Sequence, residues 1–262
     1  MDIRNGDVMM GREKQTTKTM QHLGIQNNHL AVAFPEFETI KNQFIYGEVR
    51  RQGELNEKLQ MLVVIAALIT VEGEDLSEQI NAALQVDVSP IELQEVFHQV
   101  APYIGFAKAE KGLSVLKKVF ETREITLPLE KQSTVTDDTR LENGINVQKT
   151  LFGPVIDNMR ANAPEDQRFL QDYLSAYCFG DTYTRGGLDI KTRELLTFVC
   201  IISLGCCENQ AKAHVGGNMT IGNGPSELLA AVTQCLPYIG FPKTLNAVSA
   251  INEIMKMKNK TE

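Results

Sequence analysis

Thiol and imidazole side chains concentrate in one part of the chain. All five cysteines lie in its second half, at Cys178, Cys200, Cys206, Cys207 and Cys235. His214 is the only one of the four histidines found in that half. Thiolates act as nucleophiles, and imidazole is the side chain that exchanges protons near neutral pH. Any catalysis is therefore expected in residues 193–214.

The spacing of these residues predicts a cluster. Cys207 and His214 are seven residues apart, which places both on one face of a helix. Cys206 is expected about 100° round that helix, near its start, where the macrodipole favours a thiolate. Glu194 begins the preceding apolar helix, so an antiparallel return would bring its carboxylate to His214. A carboxylate there would orient the imidazole for general acid or base catalysis.

Plainer interpretations stand beside this one. Free cysteine is among the most buried residue types, and Cys178, Cys200 and Cys235 are expected to fill core space. Cys206 and Cys207 could do the same, and His214 could be an ordinary buried histidine. A metal site is not expected, because Cys-Cys-x6-His lacks the spacing of zinc ligands.

Composition excludes several classes of protein. A chain of 262 residues with 43% apolar and 23% charged residues indicates a globular protein of one or two domains. The net charge of −7 argues against a nucleic-acid partner. The longest apolar run, residues 61–71, is too short to span a bilayer. An odd number of cysteines and a polar N-terminus predict reduced thiols in a cytoplasmic protein.

The chain contains an internal repeat. The segment Pro-Tyr-Ile-Gly-Phe occurs at 102–106 and again, unchanged, at 237–241. Pro90 and Pro225 share this offset of 135 residues, and each fits the first turn of a helix. Upstream the offset becomes 133, because residues 223–224 add a two-residue loop. Two copies of one unit are therefore predicted, related by a pseudo-twofold axis.

Each copy has a helical pattern with almost no strand signal, so the predicted fold class is all-α. The predicted organisation has an N-terminal arm (1–33), a first unit (34–125), a linker (126–139) and a second unit (140–262). In each unit a first helix (36–51 and 167–182) precedes an apolar helix (56–71 and 189–204). Three helices follow, at 75–85, 90–101 and 103–120, and at 206–219, 225–236 and 238–257.

The two copies differ at the residues that could do chemistry. The first copy has Met61 where the second has Glu194, and Asn81 where the second has His214. The first unit is therefore expected to be a degenerate scaffold, and the second unit to hold the active site.

The second unit resembles the carboxymuconolactone decarboxylase family. The resemblance rests on Tyr177-Cys-Phe-Gly-Asp181, on Gly187-Leu-Asp followed by Lys-Thr-Arg193-Glu-Leu-Leu, and on Leu204-Gly205 with Ala213-His214. Gly144, Lys149 and Gly153 match the start of the family pattern. The resemblance covers residues 138–257 and, more weakly, 34–120.

This resemblance implies an all-α fold whose single units form rings, and hence a homotrimer of fused chains that mimics a hexamer. It implies cofactor-free decarboxylation of a small carboxylated lactone, with His214 as the general acid. Arg193 or Arg185 would hold the substrate carboxylate, and no metal or membrane would be involved.

The alkylhydroperoxidase-like branch of the family is the alternative. It uses the pattern E-x11-C-x2-C-x3-H, in which Cys207 matches the first cysteine but Gln210 replaces the second. Glu194 is displaced by one residue from the pattern. Thiol-dependent peroxidase activity therefore ranks second, and a non-enzymatic scaffold third. An open pocket beside His214 would count against the scaffold.

Overall fold

The computed structural model describes residues 11–27 and 30–258. Within those ranges the chain forms helices and no strand, and 78% of it is helical. The predicted all-α class is confirmed. No helix in the described ranges is long and apolar enough to cross a membrane. Residues 1–10, part of the predicted arm, lie outside the described residues.

The first unit begins with α1 and ends with α7. Its helices are α1 (Arg12–Leu23), α2 (Leu30–Ala33), α3 (Pro35–Asn42), α4 (Glu57–Val71), α5 (Leu76–Gln85), α6 (Pro90–Ile104) and α7 (Phe106–Thr122). Helix α3 continues into a π-helical stretch, Gln43–Glu48, and a 3-10 turn, Val49–Arg51.

The second unit repeats this order after an irregular connection. Its helices are α8 (Arg140–Phe152), α9 (Val155–Ala161), α10 (Arg168–Tyr173), α11 (Ile190–Leu204), α12 (Glu208–Thr220) and α13 (Pro225–Lys258). A short 3-10 turn, Glu165–Gln167, precedes α10, which continues into a π-helical stretch, Leu174–Tyr183.

The repeat extends to helices that the sequence pattern did not pair. Helix α1 packs on the first π-helical stretch as α8 packs on the second. Gly47 and Gly180 are equivalent, and a Cβ at either would collide with the helix lying against it. Beside them, Arg12 pairs with Glu48 at 2.7 Å, and Arg140 pairs with Asp181. The same contact is thus made in both copies.

Helices α4 and α11 form the centre of one core shared by both units. Each is capped in the same way: Asn56 Oδ1 accepts from the Leu59 N–H (2.9 Å), and Asp189 Oδ1 from that of Thr192 (2.7 Å). Residues 61–70 of α4 and 193–203 of α11 are buried without interruption, as their apolar sequences predicted.

Helices α6 and α13 each pack on both units. Helix α6 packs on α11 as well as on its own α4, and α13 packs on α4 as well as on its own α11. Each unit therefore supplies one wall of the other.

Helix breaks differ from the prediction at the repeated Pro-Tyr-Ile-Gly-Phe segments. They were expected at Pro102 and Pro237, but both prolines lie inside helices. The breaks fall at Gly105 and Gly240, with φ of 80° and 76°. A proline removes one hydrogen bond, whereas a glycine in this left-handed region redirects the chain.

Candidate active site

The predicted pair of Glu194 and His214 is present. Glu194 lies in the first turns of α11, and α12 returns antiparallel to it. The Glu194 Oε1 atom lies 2.7 Å from His214 Nδ1, and both residues are buried. A carboxylate on Nδ1 fixes the ring and leaves Nε2 as the nitrogen available to a ligand.

Three further residues hold this pair in place. Tyr183 donates from its hydroxyl to Glu194 Oε2 at 2.6 Å. Burial, with the charge of Glu194 beside it, raises the pKa of Tyr183 well above its ordinary value, so it remains a donor. Asn218 Nδ2 donates to the backbone carbonyls of Glu194 (3.1 Å) and His214 (2.8 Å), which ties α11 to α12. Phe152 packs edge-on against the imidazole, with ring centroids 5.3 Å apart.

The two glycines that follow His214 differ in the space around them. Gly216 has open space around its Cα, whereas a Cβ on Gly217 would lie 2.5 Å from Glu194 Oε1. Only glycine at position 217 leaves room for the carboxylate that holds the imidazole.

A cavity of about 820 Å³ opens beside His214. Apolar and aromatic side chains form most of its walls, together with two amides and two thiols. The lining residues are Pro102, Tyr103, Gln148, Phe152, Val155, Ile156, Met159, Tyr173, Leu174, Tyr177, Cys178, Phe179, Ile201, Leu204, Cys207, Gln210, Ala213 and His214. The cavity has the size and character of a small-molecule site.

One wall of the cavity comes from the first unit. Tyr103, on α6, packs edge-on against His214 with ring centroids 6.1 Å apart. Its hydroxyl accepts a hydrogen bond from Cys178 Sγ at 3.3 Å. Burial, together with the neighbouring Cys178 thiol, raises the pKa of Tyr103 well above its ordinary value. Its hydroxyl therefore stays protonated and can donate to a ligand.

The two adjacent cysteines face different surroundings. Cys207 caps α12 and lines the cavity with His214, as their spacing predicted. Cys206 precedes the helix with φ of 56°, is exposed, and faces a separate cavity of about 30 Å³ beside Lys243. The expected position of Cys206 on the helix is wrong, because α12 starts two residues later than predicted.

The other three cysteines are buried, as expected. Burial raises the pKa of Cys178 and of Cys200 to about 12, and that of Cys235 further. These thiols are therefore poor nucleophiles near neutral pH.

Arg193 and Arg185 lie away from the cavity. Both bind Glu95 of α6: Arg185 Nη2 lies 2.8 Å from Oε1, and Arg193 Nη2 lies 2.9 Å from Oε2. Arg193 is fully buried and also donates to three backbone carbonyls and to Gln99. The predicted substrate-binding role does not fit this placement, because both guanidinium groups are already paired at the interface between units.

A chain of hydrogen bonds connects that interface to the Glu194–His214 pair. Gln99 Nε2 donates to Thr197 Oγ1 (2.9 Å), and the Thr197 and Tyr183 hydroxyl oxygens are 2.7 Å apart. Tyr183 then donates to Glu194. No sequence motif singled out Tyr183, Thr197 or Tyr103, although Tyr103 lies in the repeated pentapeptide.

The equivalent place in the first unit lacks this chemistry. Met61, at the position of Glu194, is buried in the core. Asn81, at the position of His214, is half-buried on α5 and accepts from Arg123 at 2.8 Å. The part of the chain that the structure describes contains no group of three metal-binding side chains.

Two curated proteins are similar to this chain. A 4-carboxymuconolactone decarboxylase of Acinetobacter baylyi is 24% identical over 123 residues, 47% of this chain and 91% of that protein. A nitrosuccinic acid decarboxylase of Metarhizium robertsii is 30% identical over 108 residues, 41% of this chain and 75% of that protein.

A solved structure has the same fold over both units. It comes from Burkholderia xenovorans LB400 and is described as a gamma-carboxymuconolactone decarboxylase subunit. It matches with a TM-score of 0.56 at 17% identity, over 96% of this chain and 99% of that one.

The profile of the Carboxymuconolactone decarboxylase family matches the chain twice, at residues 35–118 and 170–253. These segments coincide with the two copies of the repeat. The chain therefore belongs to the carboxymuconolactone decarboxylase family, as a tandem of two family units.

Proposed function

We propose that the second unit catalyses the cofactor-free decarboxylation of a carboxylated lactone or a similarly activated acid. The observation that carries this proposal is His214 itself. Glu194 holds its Nδ1, and its ring lies against a largely apolar cavity. This arrangement suits a general acid that delivers a proton to carbon.

The reaction would proceed in two steps. The bond between the substrate carbon and its carboxylate breaks, CO2 leaves, and the electron pair moves into the conjugated lactone carbonyl. The enolate carbon then takes a proton from His214 Nε2, and solvent returns that proton to the ring. Glu194 stabilises the protonated imidazole, and the Tyr103 hydroxyl is placed to donate to the developing oxyanion.

Cys207 favours a second candidate, a thiol peroxidase, because its thiol shares the cavity with His214. The resolving thiol is the difficulty for this candidate. Gln210 stands where the second cysteine of the redox pattern would be, and Cys206 faces away from the cavity. A catalytic cycle would need an external thiol to reduce Cys207. The open cavity also counts against the third candidate, an inert scaffold.

The test combines CO2 release with three single variants. The assay uses lactone acids with one carboxylate together with 4-carboxymuconolactone and nitrosuccinic acid, the diacids named for the relatives, and the variants are compared on the acid that releases CO2 fastest. His214→Ala should lose about 10²–10⁴-fold in kcat. Cys207→Ser should lose much less, and Cys206→Ser, the matched thiol outside the cavity, should be unchanged.

Peroxide consumption is measured on the same variants. A wild type that reduces alkyl hydroperoxides with an added thiol, and a Cys207→Ser variant that does not, would replace the decarboxylase proposal with the peroxidase. If neither activity is found and His214→Ala changes only stability, the scaffold is the remaining function.

A further inference from the structure

The cavity beside His214 is unusually poor in charge for a site that handles organic acids. None of its described lining residues is a lysine, arginine, aspartate or glutamate. Apart from His214, its polar groups are the amides of Gln148 and Gln210, the thiols and the tyrosine hydroxyls. The Oε1 atom of Gln148 accepts from the Ser175 hydroxyl at 2.6 Å, so only its Nε2 group could donate to a ligand.

Two cations on the surrounding helices, Lys149 and Arg160, are paired outside the cavity. Lys149, on α8, lies 2.7 Å from Asp157. Arg160, on α9, pairs with Asp172 and donates to the Ser175 hydroxyl. His214 is therefore the one residue of the described lining that can present a positive charge to an anionic ligand.

This charge balance limits the number of carboxylates on the ligand. One ligand carboxylate can accept from the Nε2–H of an imidazolium whose Nδ1 is already held by Glu194. A second carboxylate in the same apolar cavity would be desolvated without a counter-charge, which is strongly unfavourable. The cavity therefore favours a monoacid.

The apolar surface continues from His214 to the mouth of the cavity. Val155 on α9 is 56% exposed and Leu174 is 39% exposed, and both line the cavity with Met159 and Tyr173. Cavities of this size, about 820 Å³, hold drug-sized ligands. A compact lactone diacid would leave these apolar walls exposed to solvent, whereas a ligand with a longer apolar substituent would cover them.

We propose that the substrate is a lactone acid, or similarly activated acid, with one carboxylate and an aryl or alkyl substituent. This proposal rests on the proposed function and defines its substrate class. The carboxylate lies at His214, and the substituent extends along α9 and the π-helical stretch toward the mouth. The chemistry remains the loss of CO2 with uptake of one proton at the same carbon.

The test measures binding without turnover. The probes are saturated lactone acids, which lack the conjugation that decarboxylation needs: 5-oxo-oxolane-2-carboxylate, its 2-pentyl and 2-phenyl derivatives, and its 2-carboxymethyl derivative, which is a diacid. Titration calorimetry gives each Kd. Each buried methylene should tighten binding roughly fourfold. The pentyl and phenyl acids should therefore bind at least 30-fold more tightly than the parent, and the diacid more weakly than the parent.

Variants locate the substituent. Leu174→Asp should weaken binding of the pentyl acid by about tenfold or more and leave the unsubstituted acid unchanged. Leu229→Asp introduces the same charge at an exposed leucine outside the cavity, and should change neither. Light scattering on both variants shows whether their assembly is altered. If either assembly is altered, the Kd values of the probes on the wild-type protein alone decide the proposal.

Two failures can be told apart. Equal binding of all monoacids, or tightest binding of the diacid, overturns this substrate class whatever the enzyme does. Tight binding of the substituted acids without CO2 release from their unsaturated forms leaves the binding assignment intact and overturns the decarboxylase instead.

Discussion

Replacing Glu95 with alanine should destabilise the whole protein, although Glu95 lies in the degenerate unit. Its carboxylate is fully buried and accepts from both Arg185 and Arg193. Removing one partner of a buried ion pair costs about 3–5 kcal/mol. The lower end applies, because Arg193 keeps three backbone carbonyls and Gln99 as acceptors. A loss of about 3 kcal/mol corresponds to a fall in Tm of roughly 6–12 °C for a chain of this size.

The pH dependence gives a second signature of the same group. Burial alone would raise the pKa of Glu95, but hydrogen bonds from Arg185 and Arg193, with their charges, outweigh it, so the pKa lies below its ordinary value of 4.5. A depressed pKa means that the stabilisation is complete above pH 4.5 and is lost as the pH falls through the folded-state value. The gap between wild type and Glu95→Ala should therefore be constant from pH 7 to 5 and narrow below 4.5.

Urea unfolding at 25 °C, followed by circular dichroism from pH 7 to pH 3, measures that gap. Glu110→Ala, an exposed glutamate on α7, is the matched control and should change stability by less than about 0.5 kcal/mol. Glu95→Gln should fall between the two, because it keeps one acceptor and loses the charge. A Glu95→Ala variant as stable as the control at pH 7 would refute the assignment of this ion pair as a structural link between units.

Three further predictions concern the site and the assembly. Glu194→Gln should lower kcat about 10-fold to 10²-fold, because a neutral amide stabilises the imidazolium less well. An unchanged kcat in this variant would contradict the role of Glu194. Gly217→Ala should displace the Glu194 carboxylate and lower activity. Gly216→Ala has open space around its Cβ, so it should keep activity and gain up to about 1 kcal/mol in stability. Equal activities of the two variants would reject the steric argument. Light scattering at micromolar concentration should give three times the chain mass of 29.2 kDa. The reason is that apolar side chains are exposed at equivalent positions of both units. A monomer would exclude the ring.

Contacts between neighbouring helices were predictable from the sequence. The Glu194–His214 contact followed because α11 and α12 are consecutive and joined by a short turn, so antiparallel packing fixes which residues meet. The apolar helices were placed to within about two residues for a similar reason. Their continuous apolar runs and capping residues, such as Asn56 and Asp189, are local signals.

Contacts between distant segments were not predictable. The sequence does not show that Glu95 lies opposite Arg193, because that contact depends on how the two units pack. Arg193 therefore looked like a free cation available to a substrate. Tyr103 was missed for the same reason, since it reaches the cavity only through helix α6, which packs on both units. The π-helical stretches were not distinguished from ordinary helix, because their residues carry no pattern of their own.

The packing of α6 and α13 on both units affects the order in which the parts of this protein can fold during synthesis. Helix α4 is apolar on all sides, and two of the helices that cover it, α11 and α13, leave the ribosome much later. Until the second unit has been synthesised, the first unit would therefore expose the apolar surface of α4 and depend on chaperones. Conversely, Tyr103 is made early but has no His214 to contact until α12 has folded. The first unit can thus lack counterparts of Glu194 and His214, but deleting it would remove one wall of the cavity beside His214.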